Sequence, residues 1–167
     1  MDPFDYLLTF AEIGVALAGF AALMVVLRDR SDVEFSTLDR AIVALLVERS
    51  LIATFFSLYP GILRGLDLSH SVIASISSAV WIIYSSHSAL RTTKLQRGES
   101  SINHYISLRT RSILWVVFLA VSGIQIANVF GWGIGPNVWW YVLAILWILV
   151  SAGWLFFFFV RSWMRAT

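Results

Sequence analysis

Five stretches of almost unbroken apolar residues, at 4–27, 41–59, 71–90, 113–130 and 138–160, alternate along the chain with short polar segments. A hydrocarbon core of about 30 Å is crossed by a helix of about 20 apolar residues, and each stretch has roughly that length. The pattern predicts an all-α, polytopic helical membrane protein with five transmembrane helices. Residues 1–167 are expected to form a single transmembrane domain. The segments between the stretches carry matching start and stop signals. "MDPF" offers Asp2 as an N-cap with Pro3 at the first helical position. "STLD" offers Ser36 as a cap with Asp39 three residues on, so helix two should begin before the membrane. "YPG" at 59–61 is expected to end that helix. "GWGIGPN" at 131–137 reads as a short uncharged turn. "RTTKLQRGESS" places Gly98 as a C-cap, with Ser100 or Ser101 capping the next helix. Helices three and four are therefore expected to extend past the lipid as a cytoplasmic helical hairpin over about 91–111.

Composition strengthens the membrane reading. The chain is 59% apolar and only 13% charged, against roughly 25% charged in an ordinary soluble domain. A single water-soluble domain of this size would leave large apolar patches exposed. With no cysteine, disulfide exchange and thiolate metal sites are excluded. The net charge of +2 is too small to point to nucleic acid. A cleaved signal peptide is not expected, because Asp2 and Asp5 make the amino end acidic and Glu12 interrupts the apolar run.

The basic residues set the orientation. Arg28, Arg30 and Arg40 follow span one, and Arg91, Lys94, Arg97, Arg109 and Arg111 lie between spans three and four. Arg161 and Arg165 follow span five. Arg64 alone falls in the opposite loops, beside Asp67 and on the side of Asp2 and Asp5. The positive-inside rule then places the amino terminus outside and the carboxyl terminus in the cytoplasm, which requires an odd number of spans. The expected location is a cell membrane crossed several times, as in a bacterial inner membrane.

Helices in lipid associate through small and polar residues, since apolar burial between them gains little over lipid. Ala11, Gly14, Ala18 and Ala21 recur at heptad spacing in span one, with Ala16 and Gly19 alongside, and Ser71, Ser75, Ser78, Ser85 and Ala89 form a ladder in span three. Both faces are expected inside the protein. Span five carries bulky aromatics all round and is expected to face lipid, with Trp139, Trp140 and Tyr141 at one interface and Trp154 and Trp163 toward the other.

Candidate chemistry centres on "LLVERSLIAT" at 45–54, where two full charges interrupt span two. An arginine at mid-membrane costs about 2.5–3.5 kcal/mol on the insertion scale. Arg49 and Glu12 fall at similar depth on antiparallel spans and are expected to form an intramembrane ion pair. Glu48 points elsewhere on the same helix. It is grouped with Ser50, Thr54 and Ser57 as a candidate pore lining, because hydroxyls replace part of an ion's hydration without holding it tightly. Gln125 and Asn128 on span four make an outer polar cluster. His70, His87 and His104 are dispersed, and no lysine lies in a span. No metal site, cofactor or enzymatic activity is therefore expected. Two polar faces on helix two suggest self-association, and the basic inner loop suggests attraction to anionic lipid at the inner surface. The expected function is a homo-oligomeric channel or small facilitator conducting ions along span two. The alternative is a non-conducting membrane sensor, effector or partner-binding anchor that signals through the cytoplasmic hairpin. A lipid-binding or lipid-modifying role has only the outer polar cluster in its favour.

Overall fold

A computed structural model of the chain describes residues 2–29, 37–98, 108–133 and 135–166. These form five helices: α1 (Pro3–Asp29), α2 (Thr37–Arg64), α3 (His70–Gly98), α4 (Leu108–Phe130) and α5 (Val138–Ala166). All five are long and apolar enough to cross a membrane. Their surfaces fit that reading: Leu8, Ile62, Ile83, Val116, Phe130 and Trp132 are each more than half exposed. In water such a coat would drive association. Against hydrocarbon it has no such penalty.

The helix ends follow local chemistry. At α1 the Phe4 amide donates to Asp2 Oδ1, and the Asp2 amide donates back to Asp5 Oδ2. This is a reciprocal cap around Pro3. Helix α2 does not stop at "YPG", as the sequence suggests, but runs through Pro60 to Arg64. Proline removes one backbone donor, and a helix crossing a membrane tolerates that loss when its neighbours re-satisfy the freed carbonyl. Termination falls instead at 63–67, where Leu66 and Asp67 donate to the Leu63 and Arg64 carbonyls and Asp67 takes a positive φ of 56°. Ser69 caps α3, accepting from the Val72 amide through Oγ and from the Ile73 amide through its carbonyl. Helix α4 ends with Gly131 at φ 69° and the Trp132 amide bonded to the Ala127 carbonyl at 2.9 Å. That is a Schellman closure, which needs the left-handed conformation glycine allows. Asn137 caps α5 by accepting from the Trp139 amide at 3.0 Å. The caps expected at Ser36 and at Ser100 or Ser101 lie outside the described residues, as does the tip of the expected hairpin.

The helices gather into two compact units, Met1–Ile62 with Ile145–Thr167, and Leu63–Ala144. In the first, α1 turns Leu7, Ala11, Gly14 and Ala21 inward at spacings of three, four and seven. Ala21, Leu46 and Ala152 form the buried centre, flanked by Leu17, Val47, Leu155 and Phe156. Of the small residues expected inside, Ala11, Gly14 and Ala21 are buried and Ala18 is half-buried, whereas Ala16 and Gly19 are exposed on the far side of α1. In the second unit α3 packs against α4.

Two expectations about faces are corrected. Helix α5, expected to face lipid, is the most enclosed: 39% of its most apolar stretch is buried, against 17% in α1 and in α4. Its buried seam runs through Val138, Tyr141, Ile145, Ile148, Ala152 and Phe159. Lipid and a helical partner are equally apolar, so side-chain hydrophobicity alone does not distinguish them. The buried face of α3 is Ile73, Ala74, Ser77, Ser78, Trp81 and Ser85. Ser71 is exposed and Ser75 half-buried, so Ser77 belongs to the interior ladder in their place.

Candidate functional site

In the first unit the polar face of α2 is built around one close helix approach. A Cβ placed on Gly14 would stand 2.5 Å from Thr54 Oγ1, 2.8 Å from the Ser50 carbonyl oxygen and 3.2 Å from the Thr54 amide nitrogen. Only glycine lets the two backbones come so near. Thr54 Oγ1 lies 3.0 Å from the Ser50 carbonyl on its own helix and 3.3 Å from the Ala11 carbonyl on α1. Its single proton is shared between them, so this hydroxyl ties α1 to α2. Ser50 and Ser57 lie on the same buried face, 0% and 2% exposed, and neither hydroxyl makes a hydrogen bond. That is uncommon, since buried polar groups are ordinarily paired.

The charges stand differently. Gly14 between Ser50 and Thr54 fixes the register, which sets Arg49 about five residues of rise, roughly 7.5 Å, below Glu12 along the helix axes. Glu12 follows Ala11 by one residue and so points about 100° away from it, and it is exposed. Arg49 is half-buried. Among the described residues no ion pair or hydrogen bond joins these two side chains. Glu48 is half-buried and has a polar contact of its own.

The second unit holds the best-connected polar group. The Asn137 amide donates to Asn128 Oδ1 at 2.7 Å, and Asn128 Nδ2 donates to Ser78 Oγ at 2.8 Å. Ser78 in turn donates to Gln125 Oε1 at 2.8 Å, and Gln125 Nε2 donates to the Trp140 carbonyl at 2.7 Å. Gln125 and Asn128, three residues apart on one face of α4, thus bind α3 on one side and the first turn of α5 on the other. With Ser78 they are at most 2% exposed. A satisfied, dry network of this kind rigidifies a helix contact. Beside Ser78 on α3, Ser77 Oγ is buried without a hydrogen-bond partner, as is Trp81 Nε1 a turn further along.

Ser78 and Asn137 were not singled out with Gln125 and Asn128 by sequence reasoning. Ser78 is visible in the serine ladder, but nothing in a linear pattern pairs a given serine with a given amide across 47 residues. Among the described residues no cluster of three His, Asp or Glu could hold a metal ion. No known protein family, curated protein or solved structure matches the chain.

Proposed function

We propose that the protein is a homo-oligomeric membrane channel or small facilitator, with its amino terminus outside, its carboxyl terminus in the cytoplasm, and a conducting path bordered by the polar face of α2. One observation carries this reading: Ser50 and Ser57, one heptad apart on α2, bury hydroxyls that have no hydrogen-bond partner. On the buried face of α2, two such hydroxyls in line offer hydrogen-bonding capacity to water or to a partly dehydrated ion. Thr54 contributes position more than hydroxyl, because its proton is engaged with the Ala11 and Ser50 carbonyls. Glu48 lies on the opposite face of α2, about 160° around from Ser50, where a ring of carboxylates at the subunit contact or the inner mouth would favour cations. The bilayer and further copies of the chain are the partners, with anionic lipid at the basic inner surface.

The test is flux from liposomes containing purified protein. Ser50→Ala and Ser57→Ala remove the hydroxyls with little change in volume and should each reduce flux severalfold while helix content and mass are kept. Thr54→Leu is unsuitable, because it would drive a branched chain into Gly14. The second reading is a non-conducting sensor, effector or anchor. In its favour, α3 continues to Gly98, past the apolar stretch that ends at Arg91. No protein-dependent flux at any pH or membrane tension, from a preparation shown to be oligomeric, decides for that second reading.

A further inference from the structure

Glu12 is exposed at a level of α1 that also holds the close helix approach at Gly14. The packed face of α1 is centred between Leu7, Ala11, Gly14 and Ala21, and Glu12 lies roughly 140° around the helix from its middle. Its neighbours on the outer face are Leu8, Val15 and Leu23, each more than half exposed, together with Ala16 and Gly19. No atom lies within 4 Å of a Cβ placed on Gly19. A carboxylate on such a face, if it met only lipid, would be an uncompensated charge deep in hydrocarbon. Arg49 presents the converse problem. It is half-buried on α2, and among the described residues it has no acidic partner within its own chain.

We propose that Glu12 of one copy pairs with Arg49 of a second copy, so that the outer face of α1 is the surface on which the chain self-associates. The inference rests on the oligomeric reading above and names its contact. In an assembly whose axis runs along the membrane normal, every copy keeps its residues at the same depth. The height offset of roughly 7.5 Å between Glu12 and Arg49 therefore carries over unchanged from chain to chain. An extended arginine and the glutamate side chain together span that offset. Ala16 and Gly19 beside Glu12 let a neighbouring helix come close, as small residues do at helix contacts in lipid. Acid and base meet across the contact, and both are removed from lipid by the same step.

The natural chain has no cysteine, so single cysteines can be placed without further changes. Chains carrying Glu12→Cys and chains carrying Arg49→Cys are co-expressed, and membranes are treated with a thiol-to-thiol linker about as long as an arginine side chain. A cross-linked dimer containing one chain of each kind is expected. Charge reversal supplies the second readout: Glu12→Arg should shift the purified protein from oligomer to monomer mass, and adding Arg49→Glu should restore the oligomer. An oligomeric wild-type protein that yields no mixed cross-link overturns the pairing and leaves the oligomeric reading standing. A linker that closes within a single chain carrying both cysteines, without dimers, also overturns it in favour of a pair inside one chain. A monomeric wild-type mass in mild detergent and in nanodiscs removes the oligomeric reading itself, and the pairing with it.

Discussion

Gly14→Ala adds a single methyl group at the α1–α2 contact, and the structure sets what that methyl meets. Two of its neighbours are backbone atoms, the Ser50 carbonyl oxygen at 2.8 Å and the Thr54 amide nitrogen at 3.2 Å, and neither can rotate away. The helices must separate. Overpacking of this kind costs about 1–3 kcal/mol. Separation also weakens the bond from Thr54 to the Ala11 carbonyl, worth about 0.6 kcal/mol for a typical contact of its type in a membrane. Against this, alanine improves on glycine in a helix by about 0.5–1 kcal/mol. The same change at Gly123 or Gly153, where a Cβ would meet nothing within 4 Å, has the helix benefit alone. The variants should therefore differ by about 1.5–3.5 kcal/mol, the clash plus the lost bond, once the shared helix gain cancels. Reversible unfolding in mixed micelles by titration with a denaturing detergent reads this difference directly. Adding Thr54→Ala to Gly14→Ala removes the hydroxyl clash but not the backbone one, so rescue should be partial at best. Equal stability of the Gly14, Gly123 and Gly153 variants, or full rescue by Thr54→Ala, would refute the close backbone approach.

Two further outcomes are expected. The buried amide network should show coupling between Ser78→Ala and Asn128→Ala of about 0.6–1.7 kcal/mol in a double-mutant cycle; simple additivity would mean that the 2.8 Å bond contributes nothing measurable. A reporter active only in the cytoplasm should work when fused after Thr167 and fail at Gly133, and activity at both positions would break the five-span orientation.

The number and kind of the helices were legible in the sequence, because spanning hydrocarbon demands about 20 apolar residues whatever the neighbours are. Two of the end signals were legible for the same reason of locality: Asp2 with Pro3, and the glycine turn after Phe130, act within a few residues of themselves. The inward face of α1 was also readable, since small residues at heptad spacing mark where a backbone can come close. Which helix is enclosed was not. Aromatic-rich α5 looks lipid-facing and is the most buried, because lipid and protein offer an apolar side chain nearly the same environment and only packing decides between them. The passage of α2 through Pro60 to Arg64 was likewise not legible, since a proline after an apolar run reads locally as a stop. At the candidate site the chain order named Glu12, Arg49, Ser50, Thr54 and Ser57 through their polarity in an apolar run. It could not say that Thr54 spends its proton on Ala11, nor that Ser78 joins Gln125 and Asn128. The direction of Glu12 depended on a rotation of about 100° from Ala11. Once the Gly14 contact turned Ala11 toward α2, that rotation carried the carboxylate to the outer face.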